Sequence, residues 1–226
     1  ARGRVTRHFG STSGVDAGRV WSPIGGSFRR MGLSVAAGGD LEGDGFADIF
    51  FSYDPESASN NVLVYAGSPA GPISAGVSFG LGYQEGSARS MTTLGDVDGD
   101  GHVDFAIGAY LYENLQPEEG RVAIITSRGE SPAAEWEWGG TDVLDDEAEY
   151  GGAVAVLPDV NGDGYGDLFV GAPGARVDGT RVGRAFLYLG SGDGPSPVAD
   201  WTADSGAPSA RFGASVSYAG DVNGDG

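Results

Sequence analysis

The chain has 226 residues, 42 of them glycine, with no cysteine and no lysine; all 13 basic residues are arginine, against 32 acidic ones. A formal charge of −19 argues against nucleic acid and anionic membrane surfaces as partners. The absent residues exclude a disulfide framework, thiolate chemistry, a Walker A lysine and a Schiff base, and no run of 18 apolar residues offers a membrane-spanning helix.

The length suits one large β domain or two small ones. In chain order, the first strong signal is a short run, Ser34-Val35-Ala36, followed by Asp40–Asp48 (DLEGDGFAD) and an apolar run, Ile49-Phe50-Phe51. The same order returns three more times. Ser90-Met91-Thr92 precedes Asp96–Asp104 (DVDGDGHVD) and Phe105-Ala106-Ile107. Ala153-Val154-Ala155 precedes Asp159–Asp167 (DVNGDGYGD) and Leu168-Phe169-Val170. Ser215-Val216-Ser217 precedes Asp221, Asn223 and Asp225 (DVNGDG). The first aspartates are spaced 56, 63 and 62 residues apart. Each acidic loop is therefore expected to join two strands of a hairpin.

A third strand is predicted at Asn61–Tyr65, Arg121–Ile125 and Arg184–Tyr188, with Gly67-Ser68 and Gly190-Ser191 ending two of them. The segment Gly3–Ser11 matches Gly183–Ser191 in spacing. A recurring aromatic then marks a fourth strand: Trp21, Phe79, Trp138 and Trp201. Equal spacing in each unit points to packing between units rather than a ligand surface. Four short strands in about sixty residues is the size of a propeller blade, and no stripe of helical period separates the units.

The loops carry the chemistry. Within each, oxygen-bearing side chains alternate with small residues around glycines that allow a tight turn. The candidate ligands are Asp40, Glu42, Asp44, Phe46 and Asp48; Asp96, Asp98, Asp100, His102 and Asp104; Asp159, Asn161, Asp163, Tyr165 and Asp167; and Asp221, Asn223 and Asp225. Phe46, His102 and Tyr165 would contribute backbone oxygen only, so the His102 imidazole is expected to face solvent. Hard oxygen donors at spacing two suit Ca²⁺, giving three complete sites and a fourth truncated one. A helix-flanked EF-hand is excluded, because position twelve is Phe51, Ile107 or Val170 rather than Glu. Ordinary Asp-Gly hairpin turns would explain one copy, but not repeated carboxylates that would repel without a cation. Glu42 makes the first site the poorest fit. The loops hold 13 of the 32 acidic residues, and three bound ions would bring the charge to about −13.

These residues resemble the FG-GAP repeat, the blade of the integrin α-subunit head propeller and of many bacterial surface proteins. Phe212-Gly213 matches the FG element, Tyr150-Gly151 and Met31-Gly32 approach it, and Ser87-Ala88 loses it. Gly171-Ala172-Pro173 is the GAP element, Gly108-Ala109-Tyr110 keeps part of it, and Ser52-Tyr53-Asp54 keeps none. The resemblance implies an all-β propeller segment of four-stranded antiparallel blades, with calcium loops between first and second strands. The expected division is 1–26 a partial blade, 27–84, 85–142 and 143–205 whole blades, and 206–226 a truncated blade. The chain is accordingly expected to be a piece of a longer propeller, or to associate with itself through open blade edges.

The implied function is a calcium-stabilised extracellular or cell-surface module for protein interaction or adhesion, with a bacterial surface protein as the expected source. A propeller enzyme and a carbohydrate-binding propeller acting on polysaccharide are the alternatives, so the ligand is a protein or a glycan. Catalytic signals are sparse. His8 and His102 are the only histidines, Asp145-Asp146 and Glu118-Glu119 read as exposed acids, no nucleophile elbow is expected, and no Arg-Gly-Asp triplet occurs.

Overall fold

A computed structural model describes residues 5–12, 14–21, 31–37, 39–40, 43–53, 62–69, 77–79, 88–96, 101–113, 117–126, 134–136 and 146–220. These residues form an all-β structure without a helix. The strands are β1 (Arg7–Ser11), β2 (Gly14–Trp21), β3 (Val35–Ala37), β4 (Ile49–Ser52), β5 (Val62–Tyr65) and β6 (Val77–Phe79). They continue as β7 (Ser90–Gly95), β8 (Asp104–Ala109), β9 (Arg121–Thr126), β10 (Ala134–Trp136), β11 (Ala153–Leu157) and β12 (Asp167–Ala172). The last are β13 (Arg176–Val177), β14 (Thr180–Arg181), β15 (Arg184–Tyr188) and β16 (Trp201–Asp204).

Three antiparallel four-stranded meanders result: β3-β4-β5-β6, β7-β8-β9-β10 and β11-β12-β15-β16. Each acidic loop joins the first and second strands of its sheet. β1 and β2 form a separate hairpin that pairs Arg7 with Trp21, and β15 and β16 pair Leu187 with Trp201. Leu187 is the counterpart of Arg7 in the matched segments, so the aromatic falls in one register in both.

The sheets pack face to face, and side-chain alternation sorts their residues between neighbours. Phe105, Ile107, Ala109, Ala123 and Ile125 cluster with Phe50, Val62 and Val64 of the preceding sheet. Their alternates, Ala106, Val122 and Ile124, cluster with Leu168, Val170, Phe186 and Tyr188 of the following one. A sheet covered on both faces needs a continuous apolar strand, which is why all six residues of β8 are buried. A third cluster sets Val5 against Ile49, Phe51, Leu63 and Tyr65. On the far face of the third sheet, Phe169 and Leu187 are half-buried and Trp201 is exposed, its ring 6.1 Å from that of Phe169. Trp201 thus meets Phe169 across its own sheet. Trp138 lies outside the described residues.

The FG and GAP elements meet between units. A methyl group on Gly108 would collide with the carbonyl oxygen of Gly151, and one on Gly171 with that of Gly213. Gly151 and Gly213 hold φ of 78° and 80°, a left-handed conformation suited to glycine. Ala88 stands at the corresponding position of the second unit and keeps the conformation at φ 59°, so the backbone survives the loss of the FG sequence. Glu149, one residue before Tyr150-Gly151, binds Arg211, one residue before Phe212-Gly213. The bonds are 2.6 Å and 3.1 Å, and Arg181 donates to the same carboxylate at 3.0 Å. The hydrogen bonds that Arg211 donates to Glu149 raise the Arg211 pKa above its ordinary value.

Two expectations need correction. Ser215–Ser217 is not a strand. In each sheet the first strand pairs with the strand after its acidic loop, and no such strand follows residue 220 among the described residues; Phe212 makes only an isolated bridge to Gly183. The β13–β14 hairpin was not foreseen. Its Asp178-Gly179 turn has φ of 49° and 76°, and Asp-Gly between short extended runs is the sequence signal for it.

Candidate metal centre

The third loop, 159–167, is described throughout. Its first carboxylate is caught by the backbone it precedes. Asp159 Oδ1 accepts the N–H groups of Gly162 at 2.6 Å and Asp163 at 2.9 Å, and Oδ2 accepts that of Gly164 at 2.7 Å. Gly162 and Gly164 supply positive φ of 81° and 95°, which turns these amides inward. The Gly164 amide above all, together with those of Asp163, Gly162 and Asn161, lowers the Asp159 pKa against an opposing desolvation. Asp163 Oδ1 accepts the Tyr165 N–H at 2.9 Å, and Asn161 donates its side-chain amide to Asp163 Oδ2 at 2.8 Å.

The first loop repeats the pattern. Asp40 accepts the N–H groups of Asp44 at 3.0 Å and Gly45 at 2.7 Å, and Asp44 accepts that of Phe46 at 2.9 Å. In the second loop Asp96 accepts the Gly101 N–H at 2.8 Å. Glu42, Asp98, Asp100, Asp221, Asn223 and Asp225 lie outside the described residues.

The ninth carboxylates differ from the rest: Asp48, Asp104 and Asp167 are fully buried at the base of their loops. In donor chemistry and turn geometry the loops fit a hard divalent cation, since every side-chain donor is oxygen and the amides already orient the first carboxylate. Among the described residues, however, no three acidic or histidine side chains gather as one ion-holding group. Asp159 and Asp163 turn to their own backbone amides, while Asp167 turns to the loop base.

His102 does not simply face solvent. It is half-buried, and a methyl group on Gly43 of the first loop would lie 3.4 Å from its Cε1. Face-to-face sheets set neighbouring loops side by side, which single-loop reasoning could not show. Sequence reasoning also missed Gly67 and Gly190 as loop partners; their place in the Gly-Ser pairs was the available signal. A depression of about 540 Å³ opens between the second and third sheets at the loop end, lined by Leu94, Val103, Val156, Asp159, Tyr165 and Tyr218.

The expectation of no nucleophile elbow needs a correction from the sequence itself, since Gly76-Val77-Ser78-Phe79-Gly80 has G-x-S-x-G spacing. Ser78 lies within β6, paired with Leu63, whereas an elbow requires a sharp strand-to-helix turn.

Repeated antiparallel blades with an oxygen-rich loop at the same joint define a β-propeller repeat protein. The model of the FG-GAP repeat matches residues 89–125 and 150–188. The chain therefore carries FG-GAP repeats, and its blades are integrin-α-like. It is 40% identical to integrin alpha-PS2 of Drosophila melanogaster over 112 residues, 46% of this chain and 8% of that protein. It is 34% identical to integrin alpha-4 of Xenopus laevis over 156 residues, 66% of this chain and 13% of that protein. Against integrin alpha-IIb of Mus musculus it is 33% identical over 140 residues, 58% of this chain and 13% of that protein. The matched stretches are thus a small part of these relatives' length. These relatives are named as integrin α-subunits. These three are animal proteins and lend no support to a bacterial source. Among the described residues no helix is long and apolar enough to cross a membrane.

Proposed function

We propose that this chain is a calcium-stabilised propeller segment serving protein interaction or adhesion outside the cell or at its surface. The observation that carries the calcium reading is the repeated loop whose first carboxylate is seized by its own backbone amides, at the same joint of each sheet. The ion would be held by Asp40, Asp44 and Asp48, by Asp96 and Asp104, and by Asp159, Asn161, Asp163 and Asp167. Backbone oxygens of Phe46, His102 and Tyr165 would complete the sets, with Glu42, Asp98 and Asp100 as the remaining loop donors. Asp221, Asn223 and Asp225 would begin a fourth set. The ion would cross-brace the first and second strands. The blade division given above is part of the same proposal, and similarity to integrin α-subunits supports the adhesive role.

A ligand that binds only the native state adds RT ln(1 + [L]/Kd), about 1 kcal/mol per site for millimolar Ca²⁺ and a Kd on the order of 10⁻⁴ to 10⁻³ M. Three sites should then raise Tm by on the order of 10 °C over chelator. Calcium titration should also rank the loops, with Asp163→Ala losing more calcium-dependent stabilisation than Asp44→Ala. A Tm indifferent to chelator rejects calcium stabilisation, and equal losses show that Glu42 is accommodated.

Self-association through open blade edges belongs to the same proposal. Sedimentation of the 226-residue chain should show mass rising with concentration; a monomer throughout removes this part.

A further inference from the structure

In the first and third loops the ninth carboxylate does something that the other loop carboxylates do not: it reaches out of the loop. Asp48 Oδ1 accepts the Gly67 N–H at 2.7 Å, just past the end of β5. Asp167 Oδ1 accepts the Gly190 N–H at 2.9 Å, just past β15, while its Oδ2 accepts the Val160 N–H at 2.8 Å. Both side chains are buried, at 1% and 0% exposure. The glycines lie directly on the eighth loop residue. A methyl group on Gly67 would meet the Ala47 carbonyl oxygen at 2.6 Å, and one on Gly190 would collide with that of Gly166. The seventh residue joins the contact, since a methyl group on Gly192 would approach the Tyr165 hydroxyl to 3.0 Å. Asp159 and Asp163, in contrast, are exposed and bind only within their own loop.

We propose a division of labour within the first and third loops. The ninth aspartate is a positioning residue that ties the loop to the end of the third strand whether or not an ion is present. The first and fifth carboxylates hold only their own loop and would serve the ion. Each Asp167 oxygen has one lone pair engaged by an amide and another to spare, so an ion drawn to Asp167 also tightens Gly190 and the β15–β16 connection. That connection is already a compact turn: Leu189 donates to Asp200 at 2.9 Å, Ser196 N–H to the Leu189 carbonyl at 2.9 Å, and the Ser191 hydroxyl to the Gly194 carbonyl at 2.7 Å. Calcium occupancy in the loop is thereby read by residues 190–200. The transmission rests on the calcium reading above; the tie does not.

Amide hydrogen exchange and thermal unfolding of the whole chain, Asp167→Asn and Asp163→Ala, in excess chelator and in millimolar Ca²⁺, test this. In chelator, Asp167→Asn should speed exchange of the Gly190 amide about tenfold, the scale of losing a hydrogen bond to a charged group, and lower Tm. In chelator, Asp163→Ala should leave exchange of the Gly190 amide as slow as in the parent. Calcium should slow exchange across 190–194 in the parent but not in Asp163→Ala. Equal effects of the two variants in chelator overturn the division of labour. A parent blind to calcium, with Gly190 still released by Asp167→Asn, overturns calcium binding and transmission but upholds the tie. Should Asp167→Asn not fold, the parent in chelator decides. A Gly190 amide as slow as that of Val170 supports the tie; one as fast as that of Gly206 rejects it.

Discussion

Replacing Gly171 by alanine is expected to cost about 3 kcal/mol, at the upper end of overpacking effects. The added methyl would collide with the carbonyl oxygen of Gly213, and a backbone carbonyl cannot rotate away as a side chain can. The following unit must then move off the third sheet, breaking the contacts of Phe212 with Val182 and of Arg211 with Glu149. Urea unfolding measures the loss, and a cost under about 1 kcal/mol would show that the units are not held at this point. Ala88→Gly is the converse experiment. It relieves a left-handed alanine at φ 59° and should gain about 1 kcal/mol. Ser52 and Ala88 occupy, by repeat alignment, the places that Gly108 and Gly151 hold at the next interface. Both glycines of the pair are replaced there, and neither is replaced at the two later interfaces.

Phe105→Ala is expected to cost about 3–5 kcal/mol, the range for a fully buried phenylalanine. Phe105 is 2% exposed, and its ring lies 4.8 Å from that of Phe50 across the first and second sheets. The cavity would lie between blades rather than within one, so the loss should also uncouple them. Calorimetry should show a single transition broadening or splitting. A sharp transition with less than about 1.5 kcal/mol lost would mean that the first two sheets do not fold as one unit.

The sequence by itself determined the repeat, the strand order within each unit and the position of each acidic loop. These depend on local periodicity and turn chemistry, which a linear chain displays directly: Ile49-Phe50-Phe51 and Leu168-Phe169-Val170 follow their loops and are β4 and β12. The shared glycine-rich register also showed which loop oxygens stand close in sequence. Tertiary structure alone decided the rest. That Gly108 abuts Gly151, that His102 lies beside Gly43, and that Asp167 holds Gly190 are contacts between segments far apart in the chain. That the ninth aspartate is buried and bonded to the end of the third strand was not legible, because sequence spacing cannot tell an exposed carboxylate from a buried one. Ser215–Ser217 looked like a strand for a related reason. Its pattern is local, but a strand exists only when another backbone completes its hydrogen bonds.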